Sequence, residues 1–435
     1  MFLGDDIMNV PFKRGNILLP KNADMTKWSV VACDQYTSEP EYWSDVEKIV
    51  GDSPSTLKLT LPEIYLEESD VEKRIENINS NMKELLNEDF FKEYKDSMIY
   101  LERTQKDGKV REGLMGIVDL EGYSYEVGSQ TPIRATEKTV IERIPPRVKI
   151  RENASLELPH IMILIDDDKK EIIESLKTKV TEEDVVYDFD LMKNGGHIKG
   201  YVLNNEAMDE VDKGLASLAN KDAFEAKYDV KDKGVLLFAM GDGNHSLATA
   251  KACYENLKKT MSEEEYLNHP ARYALVELVN LHSKALEFEA INRVVFDTNP
   301  EDLVEKLKEY YVINKDGNGE KFEIITKDID EVWYIENPKS NISVGSIQMF
   351  LDEYLKENPG KVDYIHGEDV TKELTHKSDK NVGFIFDAMP KSELFKTVIL
   401  DGSLPRKTFS MGHSYDKRYC LLYTSPSPRD RQKSR

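Results

Sequence analysis

Cysteine is scarce in this chain of 435 residues: only Cys33, Cys253 and Cys420 occur, and no two of them form a CxxC pair. This spacing excludes a disulfide-stapled scaffold and a zinc knuckle. Hydrophobic runs are short as well, and none approaches the roughly 18 residues of a membrane-spanning helix, so we expect no membrane association. The N-terminal residues lack the basic-then-apolar pattern of a secretory signal, and we therefore predict a cytoplasmic protein.

Positive charge is also in short supply. The chain has 59 Lys and Arg residues against 81 Asp and Glu, a formal net charge of −22. A surface of this sign repels phosphate backbones, which argues against nucleic-acid binding. Hydrophobic residues make up 40% of the chain, and its length suffices for about two or three domains with a sizeable core.

Two common catalytic signatures are missing. No HExxH pattern occurs, which excludes a zincin, and no GxxxxGK[ST] pattern occurs, so ordinary P-loop chemistry has no support.

The most informative feature present is an apolar run that leads into a glycine-rich polar turn. Val235–Met240 predicts a buried strand, and Ser246–Lys258 carries apolar residues at helical spacing. Between them, Gly241 and Gly243 bracket Asp242. The pattern is therefore strand, turn and helix.

The residues of this turn favour an anion site. Such a turn directs backbone N–H groups and the helix N-terminus towards an anion, with Asp242 and His245 beside it. A tight turn in which Asn244 or Ser246 caps the helix would explain part of the pattern. Asp, Asn and His together exceed what capping requires, so we interpret the turn as a phosphate site.

A local cluster of positive residues stands out against the acidic background. Arg134, Arg143 and Arg147 lie in a segment, residues 131–160, that also contains Pro145 and Pro146. We predict a loop here rather than an amphipathic helix. Arginine forks suit phosphate or carboxylate, although ion pairing with the acidic surface would also explain each arginine taken singly. As a group they are candidates to complete the anion site.

Two carboxylates, Glu39 and Glu41, follow a short predicted strand that ends at Cys33. A carboxylate in this position can act as a general base or a metal ligand, and it can equally belong to the first turn of the helix that begins near Pro40.

Strands and helices alternate along the whole chain without a repeat, which predicts a mixed α/β fold. We place a domain boundary near Asp297–Pro300 and so expect a catalytic region over 1–298 and an α/β region over 299–419. Residues 420–435 change abruptly to Ser, Pro and Arg, and we predict that this tail derives from an adapter or vector.

Several motifs together resemble the bacterial domain-of-unknown-function family 1015 (DUF1015). The resemblance covers nearly all of residues 1–419, and the segments that carry it are Cys33–Trp43, Pro145–Arg147, Gly241–Ser246, His269–Tyr273, Asn292–Arg293, Asp363–Gly367 and Leu404–Lys407.

The glycine-rich turn of that family is in turn similar to that of free-serine kinases of the ParB/sulfiredoxin-like superfamily. This resemblance implies a ParB/sulfiredoxin-like catalytic region, a nucleotide-phosphate turn, and a carboxylate that acts on the serine hydroxyl. Asp242, Gly243 and His245 match the usual family turn, whereas Asn244 and Ser246 replace its first histidine and its arginine.

We therefore expect a phosphoryl-transfer enzyme acting on serine and O-phosphoserine or a similar small metabolite, with ATP or ADP as the nucleotide and Mg²⁺ at Asp242. In this hypothesis Asp242 and His245, with Glu39 or Glu41 as base, form the catalytic set. Two alternatives stay open: a non-catalytic regulator that binds a nucleotide or metabolite, motivated by the two replacements in the turn, and a structural protein without a small ligand. The sequence does not indicate an oligomeric state.

Overall fold

The computed structural model describes residues 10–37, 39–139, 141–158, 160–412 and 416–424. The chain divides into two compact units. Unit 1 comprises residues within 1–135, 139–286 and 413–435, and unit 2 comprises residues 136–138 and 287–412. The predicted domain boundaries stay predictions; in the structure the chain passes from unit 1 to unit 2 between Leu286 and Glu287.

The strands of the described residues are β1 Phe12–Lys13, β2 Gly15–Pro20, β3 Val30–Val31, β4 Phe91–Ser97, β5 Ile99–Thr104, β6 Val110–Asp119, β7 Tyr123–Ser124, β8 Ile133–Arg134, β9 Met162–Ile165, β10 Val185–Asp190, β11 His197–Val202, β12 Phe238–Asp242, β13 Tyr273–Asn280, β14 Phe288–Phe296, β15 Val312–Asn314, β16 Glu320–Ile325, β17 Asp330–Glu336, β18 Lys361–His366, β19 Val382–Ile385, β20 Phe409–Met411, β21 Tyr419–Cys420 and β22 Tyr423–Thr424. The α-helices are α1 Met25–Trp28, α2 Pro40–Val50, α3 Val71–Asn87, α4 Ile144–Arg151, α5 Asn205–Leu218, α6 Lys221–Tyr228, α7 Asn244–Lys258, α8 Glu263–Leu267, α9 Pro300–Tyr310, α10 Ser343–Glu357, α11 Glu368–His376 and α12 Ser392–Asp401. The prediction of a mixed α/β fold is thereby confirmed.

Unit 1 is built on a large mixed sheet in the order β10-β11-β5-β6-β13-β9-β12-β8-β7. Its central strands are apolar on both faces, since most residues of β9, β12 and β13 are buried. This is the pattern expected when a sheet is covered on both sides. The sheet contains two hairpins: β5 pairs antiparallel with β6 around Gly108 (φ 83°), and β10 pairs antiparallel with β11.

The strand, turn and helix predicted from the apolar run are also confirmed, as β12 and α7. β9 lies next to β12 in antiparallel register, with Met162 opposite Asp242, and next to β13 in parallel register, with Met162 opposite Glu277. The start of β9 therefore meets the end of β12. Asp242 and Glu277 lie two strands apart, about 10 Å at the usual strand spacing.

The prediction of a loop for the arginine-rich segment was wrong in one part. Residues Ile144–Arg151 form helix α4, with a proline in its first turn. Proline is tolerated there because the first backbone N–H groups of a helix have no partner within the helix and the ring presets a helical φ. Pro145 and Pro146 therefore begin a helix in this segment rather than preventing one.

The described end of the chain packs into unit 1. β21 pairs with β3 and β22 pairs with β2. Leu421 and Leu422 are buried, and the indole N–H of Trp28 donates to the carbonyl of Leu421 at 3.2 Å. Residues 425–435 of the predicted tail lie outside the described residues, and its foreign origin stays a prediction.

Unit 2 has its own sheet in the order β15-β17-β16-β19-β14-β18, with β20 paired to β14. The buried faces of α9 and α10, including Leu303, Leu307, Ile347 and Leu351, contribute to its core. Across the described part of the chain, no helix combines the length and the apolar character needed to span a membrane.

Candidate active site in unit 1

The glycine-rich turn positions Asp242 at the N-terminus of α7. β12 ends at Asp242, and Gly243 adopts a left-handed backbone (φ 77°) before the helix begins at Asn244. The Asp242 carboxylate accepts the N–H of Gly243 at 2.9 Å. A Cβ atom on Gly243 would lie 3.0 Å from the Cα of Ile161. Glycine is therefore required here both for the left-handed φ and for the close approach to the start of β9.

Gly243→Ala is expected to destabilise the protein by about 2–4 kcal/mol, since it adds left-handed strain and a backbone clash. Gly108→Ala is the matched control, because Gly108 has φ 83° but no atom within 4 Å of the place that an added methyl group would occupy; strain alone should cost about 1 kcal/mol. Urea unfolding measures both. Equal losses for the two variants would show that the contact with Ile161 does not matter.

A lysine from the end of the described chain faces this turn. The Nζ atom of Lys417 lies 3.4 Å from Oδ2 of Asp242, and the two side chains are only 13% and 19% exposed. Among the described residues, the cation that forms an ion pair with the turn is therefore Lys417, a residue that sequence reasoning missed.

Three buried arginines hold the main chain around Lys417. Arg103 donates to the carbonyl of Lys417 at 3.3 Å, and Arg111 donates to the carbonyl of Asp416 at 2.9 Å. Arg418 donates to the carbonyl of Ile161 at 2.9 Å. These contacts tie the segment that carries Lys417 to the central sheet, so the backbone of Lys417 is held by the core.

A buried carboxylate, Glu277 on β13, forms ion pairs with two of these arginines. Its Oε1 atom lies 3.1 Å from Nε of Arg111, and its Oε2 atom lies 2.8 Å from Nε of Arg418. All three side chains are at most 4% exposed. Gly113 leaves the room for this carboxylate, because a Cβ atom there would lie 2.7 Å from Oε1.

A second charged pair, His160 and Asp34, lies at the start of β9. Nε2 of His160 is 3.5 Å from Oδ2 of Asp34. Burial opposes the charge on the imidazole, but the attraction of Asp34 prevails and raises the pKa of His160 well above its usual value. Burial likewise opposes the charge on Asp34, whereas His160 and, more weakly, Lys417 lower the pKa of that carboxyl group. The pair is therefore charged at neutral pH.

His160→Gln is expected to cost most stability at and below about pH 6.5, the ordinary histidine pKa. Because the pKa of His160 is raised in the folded protein, the stability that its charge contributes is complete below that value and is lost as pH rises through the folded pKa. The lowered pKa of Asp34 preserves its own contribution until strongly acid pH.

Urea unfolding of wild type and His160→Gln at about pH 6, 8 and 10 checks this linkage. The difference between the two proteins should shrink as pH rises. His376→Gln, at an exposed histidine of α11, is the control and should change stability little at each pH. A difference for His160→Gln that grows towards alkaline pH would contradict a charged pair.

The predicted arginines have other partners. Arg134 is buried and donates to the carbonyls of Thr131 at 2.7 Å and Gly234 at 2.6 Å. Arg147 forms an ion pair with Glu63, and Arg143 is exposed. None of the three has an ion pair or hydrogen bond to Asp242 among the described residues, so their part in anion binding stays a prediction.

The remaining predicted residues lie in two places. Asn244, His245 and Ser246 form the first turn of α7 and are half-buried; the buried Oδ1 atom of Asn244 accepts no hydrogen bond from the described protein. Glu39 and Glu41 are exposed at the start of α2. No hydrogen bond or ion pair joins either glutamate to the turn within the described ranges, so their role as base also stays a prediction.

A bound Mg²⁺ would find a single carboxylate at the turn. In the described part of the chain, no group of three or more His, Cys, Asp or Glu residues lies close enough to hold a metal ion. Mg²⁺ commonly keeps several waters and binds through one or two carboxylates plus substrate phosphates. Asp242 alone fits that mode and does not fit a metal site built wholly from protein ligands.

Comparison with solved structures finds weak likenesses. A free serine kinase in complex with AMP is 10% identical with a TM-score of 0.38, covering 74% of this chain and 94% of that one. A conserved hypothetical protein from Pyrococcus furiosus is 12% identical with a TM-score of 0.35, covering 74% and 97%. SbnI from Staphylococcus aureus, truncated at its C-terminus, is 10% identical with a TM-score of 0.37, covering 72% and 87%. At these scores the likeness carries no argument about chemistry.

Comparison at the level of sequence is more decisive. No curated protein gives a significant match. The profile of DUF1015, described as a protein of unknown function, matches residues 11–354. That range spans most of the chain, and the protein therefore belongs to the DUF1015 family.

Proposed function

We propose that unit 1 is a phosphoryl-transfer enzyme that moves a phosphoryl group between a nucleotide and a small hydroxy metabolite. The observation that carries the proposal is the position of Lys417, whose ammonium lies 3.4 Å from Asp242 at the N-terminus of α7. Phosphoryl transfer depends on positioning and on neutralising the charge of the transferred group. In a strongly acidic protein, a lysine beside a helix N-terminus can position the phosphoryl group and neutralise its charge.

Each charged group has a distinct part in this proposal. The first backbone N–H groups of α7 and the ammonium of Lys417 bind phosphate oxygens. Asp242 orients Lys417 in the free protein and binds Mg²⁺ or the acceptor hydroxyl when substrate displaces that contact. Asp34 and His160 stay charged and paired near neutral pH, and in this proposal they line one side of the phosphate site. When bound, Mg²⁺ neutralises phosphate oxygens.

Serine and O-phosphoserine are the first substrate pair to test, because the turn resembles that of free-serine kinases. The full chain is incubated with serine, ATP and Mg²⁺ and, separately, with O-phosphoserine, ADP and Mg²⁺, and both products are quantified by mass spectrometry. Turnover in either direction that Asp242→Asn abolishes supports the proposal. Absence of turnover in both directions with folded protein, and with other small hydroxy acids in place of serine, would refute it.

The second candidate is a non-catalytic regulator that binds a nucleotide or metabolite. Two observations favour it: Asn244 and Ser246 supply neither a cation nor an imidazole to the turn, and Asp242 is already paired with Lys417. A nucleotide that raises the melting temperature without any turnover would support this candidate. Turnover lost in Asp242→Asn would exclude it.

A further inference from the structure

Unit 2 is inserted into the chain of unit 1. The chain leaves unit 1 after Leu286, forms most of unit 2 over residues 287–412, and belongs to unit 1 again from residue 413. Lys417, which pairs with Asp242, lies five residues beyond Gly412. The cation of the candidate site therefore follows directly after the insertion, and the end of unit 2 is the part of the chain to which it is tethered.

The first and last strands of this insertion pair with each other. β20 runs antiparallel to the beginning of β14, with Phe288 opposite Met411. At one end of this pair the N–H of Gly412 donates to the carbonyl of Glu287 at 3.2 Å. We call residues 287–291 and 408–412 the neck. The neck holds the two ends of the insertion side by side.

The neck is a short structure that apolar side chains stabilise. The rings of Phe288 and Phe409 stack with their centroids 4.4 Å apart and 21° between their planes, and both residues are 8% exposed. β20 has three residues, and among the described strands it pairs only with β14. A short strand with a single neighbour has few contacts to lose, so it belongs to the regions that open locally before the core unfolds.

The next anchor of the chain inside unit 2 is Arg293. This fully buried arginine donates to the carbonyls of Lys407 at 2.8 Å and Arg406 at 3.0 Å. When the neck is closed, only residues 413–415 separate the segment of Lys417 from unit 2. When the neck opens, residues 408–415 separate that segment from its nearest anchor, so the tether becomes more than twice as long.

Docking of the segment 416–419 onto unit 1 closes a loop in the chain. In addition to the arginine contacts described above, the N–H of Ala32 donates to the carbonyl of Arg418 at 2.8 Å, and the hydroxyl of Tyr419 donates to the carbonyl of Met192 at 3.1 Å. All of these contacts join parts of the chain that are distant in sequence. Docking therefore costs loop-closure entropy, and this cost is smaller for a shorter tether.

We propose that the neck is a conformational control element that holds Lys417 at the turn, so that opening of unit 2 at the neck releases the cation from Asp242. Its effect on catalysis rests on the phosphoryl-transfer function proposed for unit 1. A closed neck keeps the effective concentration of the segment 416–419 at its docking site high. An open neck lengthens the tether, and the effective concentration falls with about the −3/2 power of tether length.

Hydrogen–deuterium exchange of the full chain, followed by mass spectrometry, tests the neck. Ser410→Pro removes a backbone donor from β20, where Ser410 lies opposite Glu289, and Phe409→Ala removes one ring of the stack. We expect exchange in residues 416–424 to become about 3- to 10-fold faster in Ser410→Pro and to rise less in Phe409→Ala. Ile313→Pro, in β15 at another edge of the same sheet, is the control and should leave that exchange unchanged.

Exchange in the neck itself shows whether the neck has opened, and Phe409→Ala keeps the test decisive if Ser410→Pro does not fold. Faster exchange at 287–291 and 408–412 without a change at 416–424 would overturn the proposal. An equal rise at 416–424 in Ile313→Pro would also overturn it, because the effect would then come from the stability of unit 2 as a whole. The measurement requires no turnover: faster exchange at 416–424 in a protein without turnover would support the neck and leave the phosphoryl-transfer proposal refuted.

Discussion

Lys417→Met is expected to lower the proposed phosphoryl-transfer turnover by about 10²- to 10³-fold, the usual effect of removing one preorganised group that stabilises transition-state charge. The ammonium lies 3.4 Å from Asp242 in a partly buried setting, where water screens charge less than at the surface. Lys417→Arg keeps the charge but changes its geometry, so it should recover part of the rate. Initial rates at saturating substrate measure the effect.

Lys199→Met is the matched control for this prediction. Lys199 is similarly shielded, at 18% exposed, and its ion-pair partners are Glu182 at 2.8 Å and Asp188 at 3.3 Å, both remote in sequence from the turn. Its loss should leave turnover within about twofold, as expected of a surface ion pair. If Lys417→Met also retained the wild-type rate, Lys417 would not be the phosphate-binding cation.

The largest loss of stability is expected for Glu277→Gln, about 3–5 kcal/mol in the free energy of unfolding. The substitution keeps the shape of the side chain but leaves Arg111 and Arg418 as buried charges without their carboxylate. Uncompensated charge in a core is far more costly than the loss of a surface pair. Urea unfolding at neutral pH measures the change.

Glu68→Gln is the control for this comparison. Glu68 is 46% exposed and pairs with Arg74 at 3.0 Å, so its removal should cost no more than about 1 kcal/mol. The Glu277→Gln variant should also lose turnover to the extent that Lys417 moves, because Arg418 follows Lys417 directly in the chain. A stability loss as small as that of Glu68→Gln would mean that water or other groups compensate the two arginines.

Local patterns predict the structure well where backbone geometry depends on neighbouring residues. The strand and helix around Asp242 follow from an apolar run and from helical spacing, and glycine at 243 follows from the turn between them. Helix α4 departs from the predicted loop because its prolines stand at the start of the helix, where they are tolerated, and not in its interior.

The partners of charged side chains are harder to predict, because charge acts through space and not along the sequence. Arg134 is a candidate for phosphate binding from sequence, yet its guanidinium bonds to two backbone carbonyls. Lys417 gives no signal of its own, since it immediately precedes the change in composition that predicts a foreign tail. His160 is visible in the sequence only as a histidine before a strand, and its partner Asp34 belongs to a segment far away in the chain.

Composition and periodicity were thus sufficient for the α/β class, for the strand and helix that flank the turn, and for the acidic character that makes any buried cation informative. Which cation meets Asp242 was decided by tertiary structure alone. Strands β5, β6 and β13 and the segment 416–424 supply the buried charges around Glu277. The free energy of pairing such charges depends on distances that no local pattern encodes.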